Sequence, residues 1–121
     1  MGNPLACAVA CESINLLTRE DDTGEMWFRG RTRKLERWLN NGLEGLRGKE
    51  GVEDVRVRGG IGVVQMKEGL DSAEVTKRCP ELGAWLRPFG KLLYTMPCYV
   101  SEEEDVQIIS KAMGSIVEEF G

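Results

Sequence analysis

The sequence predicts an α/β fold of the α+β kind, a small, mostly antiparallel sheet covered by helices and preceded by a separate helix. Three observations predict it. Apolar residues recur at three- and four-residue steps in several stretches. Two pairs of short apolar runs are each joined by glycine, at Gly59-Gly60 and at Gly90, as in hairpins. The resulting order is helix, helix, paired strands, helix, paired strands, helix, which suits one small sheet with helices against it.

The first helix starts at Asn3, a good N-cap, with Pro4 at the first helical position. Leu5, Val9, Ile14 and Leu17 supply bulk, while Ala6, Cys7, Ala8, Ala10 and Cys11 are small. Small residues on several faces let other backbones approach closely, so this helix is expected to be wedged between two bodies. Arg19 to Gly24 is charged and turn-like, a loop. A second helix is expected from Glu25 to Leu46, with a stripe of Phe28, Leu35, Trp38, Leu39, Gly42 and Leu46 and its aromatic residues in the core.

Arg47 to Gly51 is a polar break. Val55 and Val57 alternate with Arg56 and Arg58 as in a half-buried strand, and Ile61 to Met66 is a more buried one. Gly59-Gly60 has neither Walker nor Rossmann spacing, so it reads as a reversal rather than a phosphate cradle. Ser72 is the expected cap of a short helix carrying Val75 and Leu82 and ending near Gly83, with Pro80 expected to stop or bend it early. Ser101 with Glu104 forms a capping box for the last helix, whose stripe is Val106, Ile109, Met113, Ile116, Val117 and Phe120.

Composition narrows the function classes. With 121 residues the chain is one domain at most, able to bury about two-thirds of its surface. It is 41% hydrophobic and 30% charged with net charge −4, which argues against nucleic acid. Only Arg29-Gly30-Arg31-Thr32-Arg33-Lys34 is basic, and it reads as a solvated helix face. No apolar run approaches the ~20 residues of a bilayer span, and Leu5 to Cys11 lacks the basic leader of a signal peptide. The expected compartment is the cytoplasm, with no membrane partner. The four cysteines contain no Cys-x-x-Cys pair and there is no histidine. A zinc site and a disulfide framework are both disfavoured, and Cys7 and Cys11 read as small packing residues. Without histidine, serine–histidine and cysteine–histidine nucleophiles are excluded within this chain.

The most informative stretch is Gly83 to Tyr99, GAWLRPFGKLLYTMPCY. It sets Arg87 on a short strand between Trp85 and Phe89, which share its face by period-two alternation. A guanidinium is always charged and offers a rigid fork of donors. Two roles are therefore open to Arg87: holding a planar anion between aromatic side chains, or pairing with one of the chain's own carboxylates.

Trp85 to Tyr94, followed by Met96-Pro97 and Tyr99, resembles the C-terminal part of the adenosylmethionine–8-amino-7-oxononanoate aminotransferases, or diaminopelargonate synthases. These are class III pyridoxal-phosphate transaminases of biotin synthesis. Met1 to Ala8 resembles the segment that opens the helix linking that family's large and small domains, and Val52 to Val64 resembles its strand pair. The likeness is collinear over nearly the whole chain and weakest from Asp21 to Lys49. Two positions depart from the family's pattern: Pro80 stands where the family has no proline, and Cys98 replaces a common one.

The resemblance implies residues 1–20 as the interdomain helix and 21–121 as the C-terminal small domain of a fold-type I enzyme. It implies that Arg87 binds the carboxylate of 8-amino-7-oxononanoate, that Tyr94 lies near the active site, and that S-adenosylmethionine donates the amino group. No catalytic, cofactor-binding or metal-binding residue is expected in this chain, because the Schiff-base lysine, the anionic partner of the pyridine nitrogen and the phosphate cup lie upstream of Gly2 in the family. Pyridoxal 5′-phosphate is accordingly expected in the complete enzyme and not on this chain alone. The expected partners are the missing large domain and, in the complete enzyme, a second subunit. Met1 coincides with a methionine of the family, so the chain is expected to be the C-terminal piece of a longer transaminase. Two other readings stand beside this one: the small domain of a class III transaminase acting on an ω-amino acid, and a non-catalytic interaction or small-ligand module. Amino-donor preference separates the first from the main reading, and monodisperse, cooperative melting of the isolated chain marks the second.

Overall fold

The computed structural model describes residues 2–121; Met1, the methionine of the family resemblance, lies outside them. Helix α1 spans Pro4–Thr18. Asn3 opens it by accepting from the Leu5 and Ala6 amides at 3.0 and 3.3 Å, which satisfies two orphan donors of the first turn. No residue of α1 is buried, so Cys7 and Cys11 are exposed thiols rather than packing residues within these elements.

Helix α2 spans Trp27–Leu43 and tightens into a 3-10 turn at Glu44–Leu46, so the expected Glu25–Leu46 helix starts two residues later and ends in a different coil. Its buried line is Leu35, Leu39 and Leu43, continued by Leu46; Leu43 is the member that the sequence reading missed. Phe28 and Trp38 are only half-buried, with Trp38 packed against the core edge.

Strands β1 (Val52–Arg58) and β2 (Ile61–Met66) form the first hairpin, and β3 (Arg87–Phe89) and β4 (Leu92–Thr95) the second. Gly59 (φ +56°) and Gly90 (φ +60°) make the two reversals in left-handed backbone that favours glycine. The sheet order is β1-β2-β4-β3 and every pairing is antiparallel. Val55, Val64, Met66, Leu93 and Thr95 point into the core from one face. α2 crosses β2 closely: a Cβ added at Gly62 would come within 2.9 Å of the Leu43 side chain.

Helix α3 spans Ser72–Leu82 and buries Val75 and Cys79. Its cap is Asp71, not Ser72; the Asp71 carboxylate accepts from the Ala73 and Glu74 amides at 3.1 and 3.2 Å. Pro80 does not stop the helix. The helix forgoes the one amide bond that Pro80 cannot donate, and it closes with the Gly83 amide on Pro80 O at 3.2 Å and the Ala84 amide on Cys79 O at 3.3 Å.

Helix α4 spans Glu103–Phe120 and starts one residue later than the Ser101 cap predicts. Glu102 is the capping position, and Asp105 accepts from its amide at 2.9 Å. Ser101 is engaged otherwise: its amide donates to Cys98 O and its carbonyl accepts from Arg31. The buried line of α4 is Val106, Ser110, Ala112, Met113, Ile116 and Val117, with Ile109 and Phe120 partly buried beside it. α2 packs on β1, β2 and α4, and α3 on β3 and α4.

Candidate functional site

Antiparallel register and period-two alternation determine which residues share the face of the sheet opposite the core. Arg87 pairs with Tyr94, Tyr94 with Val63, and Val63 with Arg56, so these four side chains form one row across all four strands. A second row runs Phe89, Leu92, Gln65 and Asp54. Arg87 and Phe89 are exposed, Tyr94, Val63, Leu92 and Gln65 half-buried. Between Trp85 (66% exposed) and Arg87, Leu86 is buried, which turns the two flanking residues the other way.

The two sequence-predicted site residues, Arg87 and Tyr94, are thus brought side by side by the β3–β4 pairing. Directly opposite residues in such a pair hold their Cβ atoms about 4.5–5.5 Å apart, close enough to reach one small group together.

The two arginines of the row differ in electrostatics. Arg56 donates to Asp54 at 3.0 Å and to Gln65 at 2.7 Å, and its hydrogen bond holds the Asp54 carboxyl below the usual carboxylate range. Arg47 reaches the other Asp54 oxygen at 3.2 Å. Arg87, by contrast, pairs with no carboxylate among the described residues. Of the two roles open to it from sequence, internal ion pairing is therefore not the one this structure adopts. A fork-shaped cation without a carboxylate partner among the described residues, opposite a tyrosine in the strand pairing and flanked in sequence by the exposed Trp85 and Phe89, is suited to a bidentate carboxylate.

Where β4 runs on toward α4, a cavity of about 290 Å³ is lined by Trp85, Thr95, Met96, Cys98, Asp105 and Ile108, among others; neither Arg87 nor Tyr94 lines it. Its loop wall, Met96 to Ser101, leads directly out of β4 and contains two carbonyls held by Arg31 of α2. Arg31 is a residue that the sequence reading assigned to a solvated basic face, because only the fold brings residues 68 and 70 positions apart together.

Cys79 is buried, while Cys7, Cys11 and Cys98 are exposed, and no group of three metal-ligating side chains converges among the described residues. All six lysines are exposed and no strand carries one. No described helix is long and apolar enough to cross a membrane.

Comparison with known proteins points one way. Residues 1–117 match the profile of the family Aminotransferase class-III. The adenosylmethionine-8-amino-7-oxononanoate aminotransferase of Corynebacterium glutamicum is 40% identical over 117 residues, covering 97% of this chain and 26% of the relative. The enzyme of the same name from Mycobacterium leprae is 39% identical over 113 residues, covering 93% of this chain and 24% of the relative. The chain spans about a quarter of the length of the curated relatives it matches. A solved PLP-bound aminotransferase mutant from Vibrio fluvialis superposes with a TM-score of 0.75 at 18% identity, over 99% of this chain and 28% of that one, a likeness of fold.

Proposed function

This chain belongs to the class-III aminotransferases, and from that premise we propose that it acts as the C-terminal part of an adenosylmethionine–8-amino-7-oxononanoate aminotransferase. In this reading residues 1–20 form the helix that leads from a large domain, and residues 21–121 form the small domain. The reaction is a transamination: the amino group of S-adenosylmethionine goes to the ketone of 8-amino-7-oxononanoate, whose carbonyl becomes an amine while the donor's amine becomes a carbonyl. Pyridoxal 5′-phosphate, with its lysine, supplies that chemistry from outside the described residues. The assembled enzyme is a homodimer in the cytoplasm.

The work of this chain is binding and orientation. Arg87 holds the substrate carboxylate through paired N–H donors, and Tyr94 offers its hydroxyl to the same group. Holding the acid end restrains where the distant ketone sits, which converts binding energy into orientation at the reacting carbon. One observation carries the assignment: Arg87 is exposed, has no carboxylate partner among the described residues and stands directly opposite Tyr94 in the strand pairing. The names of the curated relatives favour this substrate over an ω-amino acid.

The test is a chimera in which this chain replaces the corresponding C-terminal quarter of the Corynebacterium glutamicum relative. The chimera is expected to transaminate 8-amino-7-oxononanoate with S-adenosylmethionine as donor. A chimera that folds with bound cofactor yet prefers a simple ω-amino acid would reject the assignment.

A further inference from the structure

We infer that Arg31 is a positioning residue for the substrate-binding face, an inference that rests on the function proposed above. After Thr95, which is 3% exposed, β4 gives way to a six-residue segment, Met96 to Ser101, before Glu102 caps α4. The segment's own backbone contributes one hydrogen bond, from the Ser101 amide to Cys98 O at 3.0 Å. Its other anchors come from α2. Arg31 donates from Nε to Tyr99 O at 2.6 Å and from Nη2 to Ser101 O. Trp27, one helical turn earlier, sets its ring 6.4 Å from that of Tyr99.

Arg31 has no carboxylate partner among the described residues. Its charge lies instead against two carbonyl dipoles and the Trp38 ring, whose centroid is 5.8 Å away. This use needs the planar fork of arginine. An ammonium on a flexible stem cannot hold two carbonyls two residues apart in one fixed geometry.

The segment held in this way bears on the site from two sides. It continues the strand that carries Tyr94, and with Trp85, two residues before Arg87, it lines one cavity. Met96, 58% exposed, is its first residue and shares the face of Tyr94 by alternation. Arg31 therefore holds the chain that leaves Tyr94's strand, and with it Met96 on Tyr94's face, without touching substrate.

The experiment uses the chimera described above, with 8-amino-7-oxononanoate as the varied substrate. Arg31→Ala and Arg31→Lys are each expected to raise KM for the amino-ketone about tenfold while kcat stays within about twofold. A merely structural role would instead reduce the amount of active enzyme, lowering apparent kcat and leaving KM alone. KM at the parent value in both variants overturns the inference, and so does rescue by Arg31→Lys, which would make charge rather than the fork responsible. Arg87→Ala separates the two levels of argument. If it leaves KM unchanged, or if the parent chimera is inactive, the proposed function fails; if it raises KM while Arg31→Lys does not, only the role of Arg31 fails.

Discussion

Arg87 and Tyr94 stand directly opposite one another in the antiparallel pairing of β3 and β4, and they begin a row that ends at Arg56 on the far strand. Side chains so paired can share one ligand group, and sharing has a measurable consequence. In the assembled enzyme Arg87→Ala should weaken amino-ketone binding by roughly 1.5–3 kcal/mol, the worth of a charge-assisted hydrogen bond. Arg87→Lys should restore little of it, since the bidentate fork is lost. Tyr94→Phe should cost less alone, and almost nothing in the Arg87→Ala background. Additive losses would mean that the two side chains do not share one group.

α2 and α4 approach tightly at Gly42 and Ser110. A Cβ at Gly42 would lie 2.1 Å from Ser110 Oγ and 2.6 Å from its Cβ, so the helices must separate to admit it. Gly42→Ala should destabilise the fold by about 1–3 kcal/mol, read from the denaturant midpoint. Ser110→Gly should reduce that cost by making room. Ser110 Oγ is itself buried without a partner, so Ser110→Ala should be close to neutral in stability.

The cap of α3 gives a sharper local test. Asp71→Ala should cost about 1 kcal/mol, because two amides lose their acceptor. Ser72→Ala should change stability by no more than about 0.5 kcal/mol, since Ser72 is already inside the helix. Equal losses, measured by thermal melting, would contradict the capping geometry.

Arg78 joins α3 to α4 through Glu119, with Nε 3.0 Å from both carboxylate oxygens. This hydrogen bond holds the Glu119 carboxyl below the usual carboxylate range. The unfolded chain lacks the pairing and takes up its proton at higher pH. The stabilisation is therefore complete at neutral pH and is lost as pH falls through the lowered folded value. Glu119→Gln should lie below the parent in denaturant midpoint at about pH 7 and approach it by about pH 3. A gap that stays constant with pH would show that the pair does not stabilise the fold through charge.

Local chemistry made much of the architecture legible. Asn3-Pro4 opens α1 as expected, since capping and fixed φ act within one turn. Gly59-Gly60 and Gly90 mark both reversals. The misreadings are equally local in form but non-local in cause. Ser101 has the residues of a capping box, yet Arg31, 70 positions earlier, takes its carbonyl, and the helix starts beyond it. Ser72 and Asp71 both suit a cap, and the chain uses the carboxylate. The three- and four-residue periodicity points to Gly42, whose lack of a side chain serves the contact with Ser110, and not to its buried neighbour Leu43.

What the sequence determined by itself was the set of elements, the two glycine reversals and an arginine between aromatic residues, because each depends on backbone preferences and spacing within a few positions. The tertiary structure alone decided that Arg87 faces Tyr94, that Arg56 is neutralised by Asp54 while Arg87 pairs with none of the described carboxylates, and that Arg31 leaves its basic stretch to hold a distant loop. Those outcomes depend on strand register and helix packing, which bring together side chains far apart in the chain and set which charges meet.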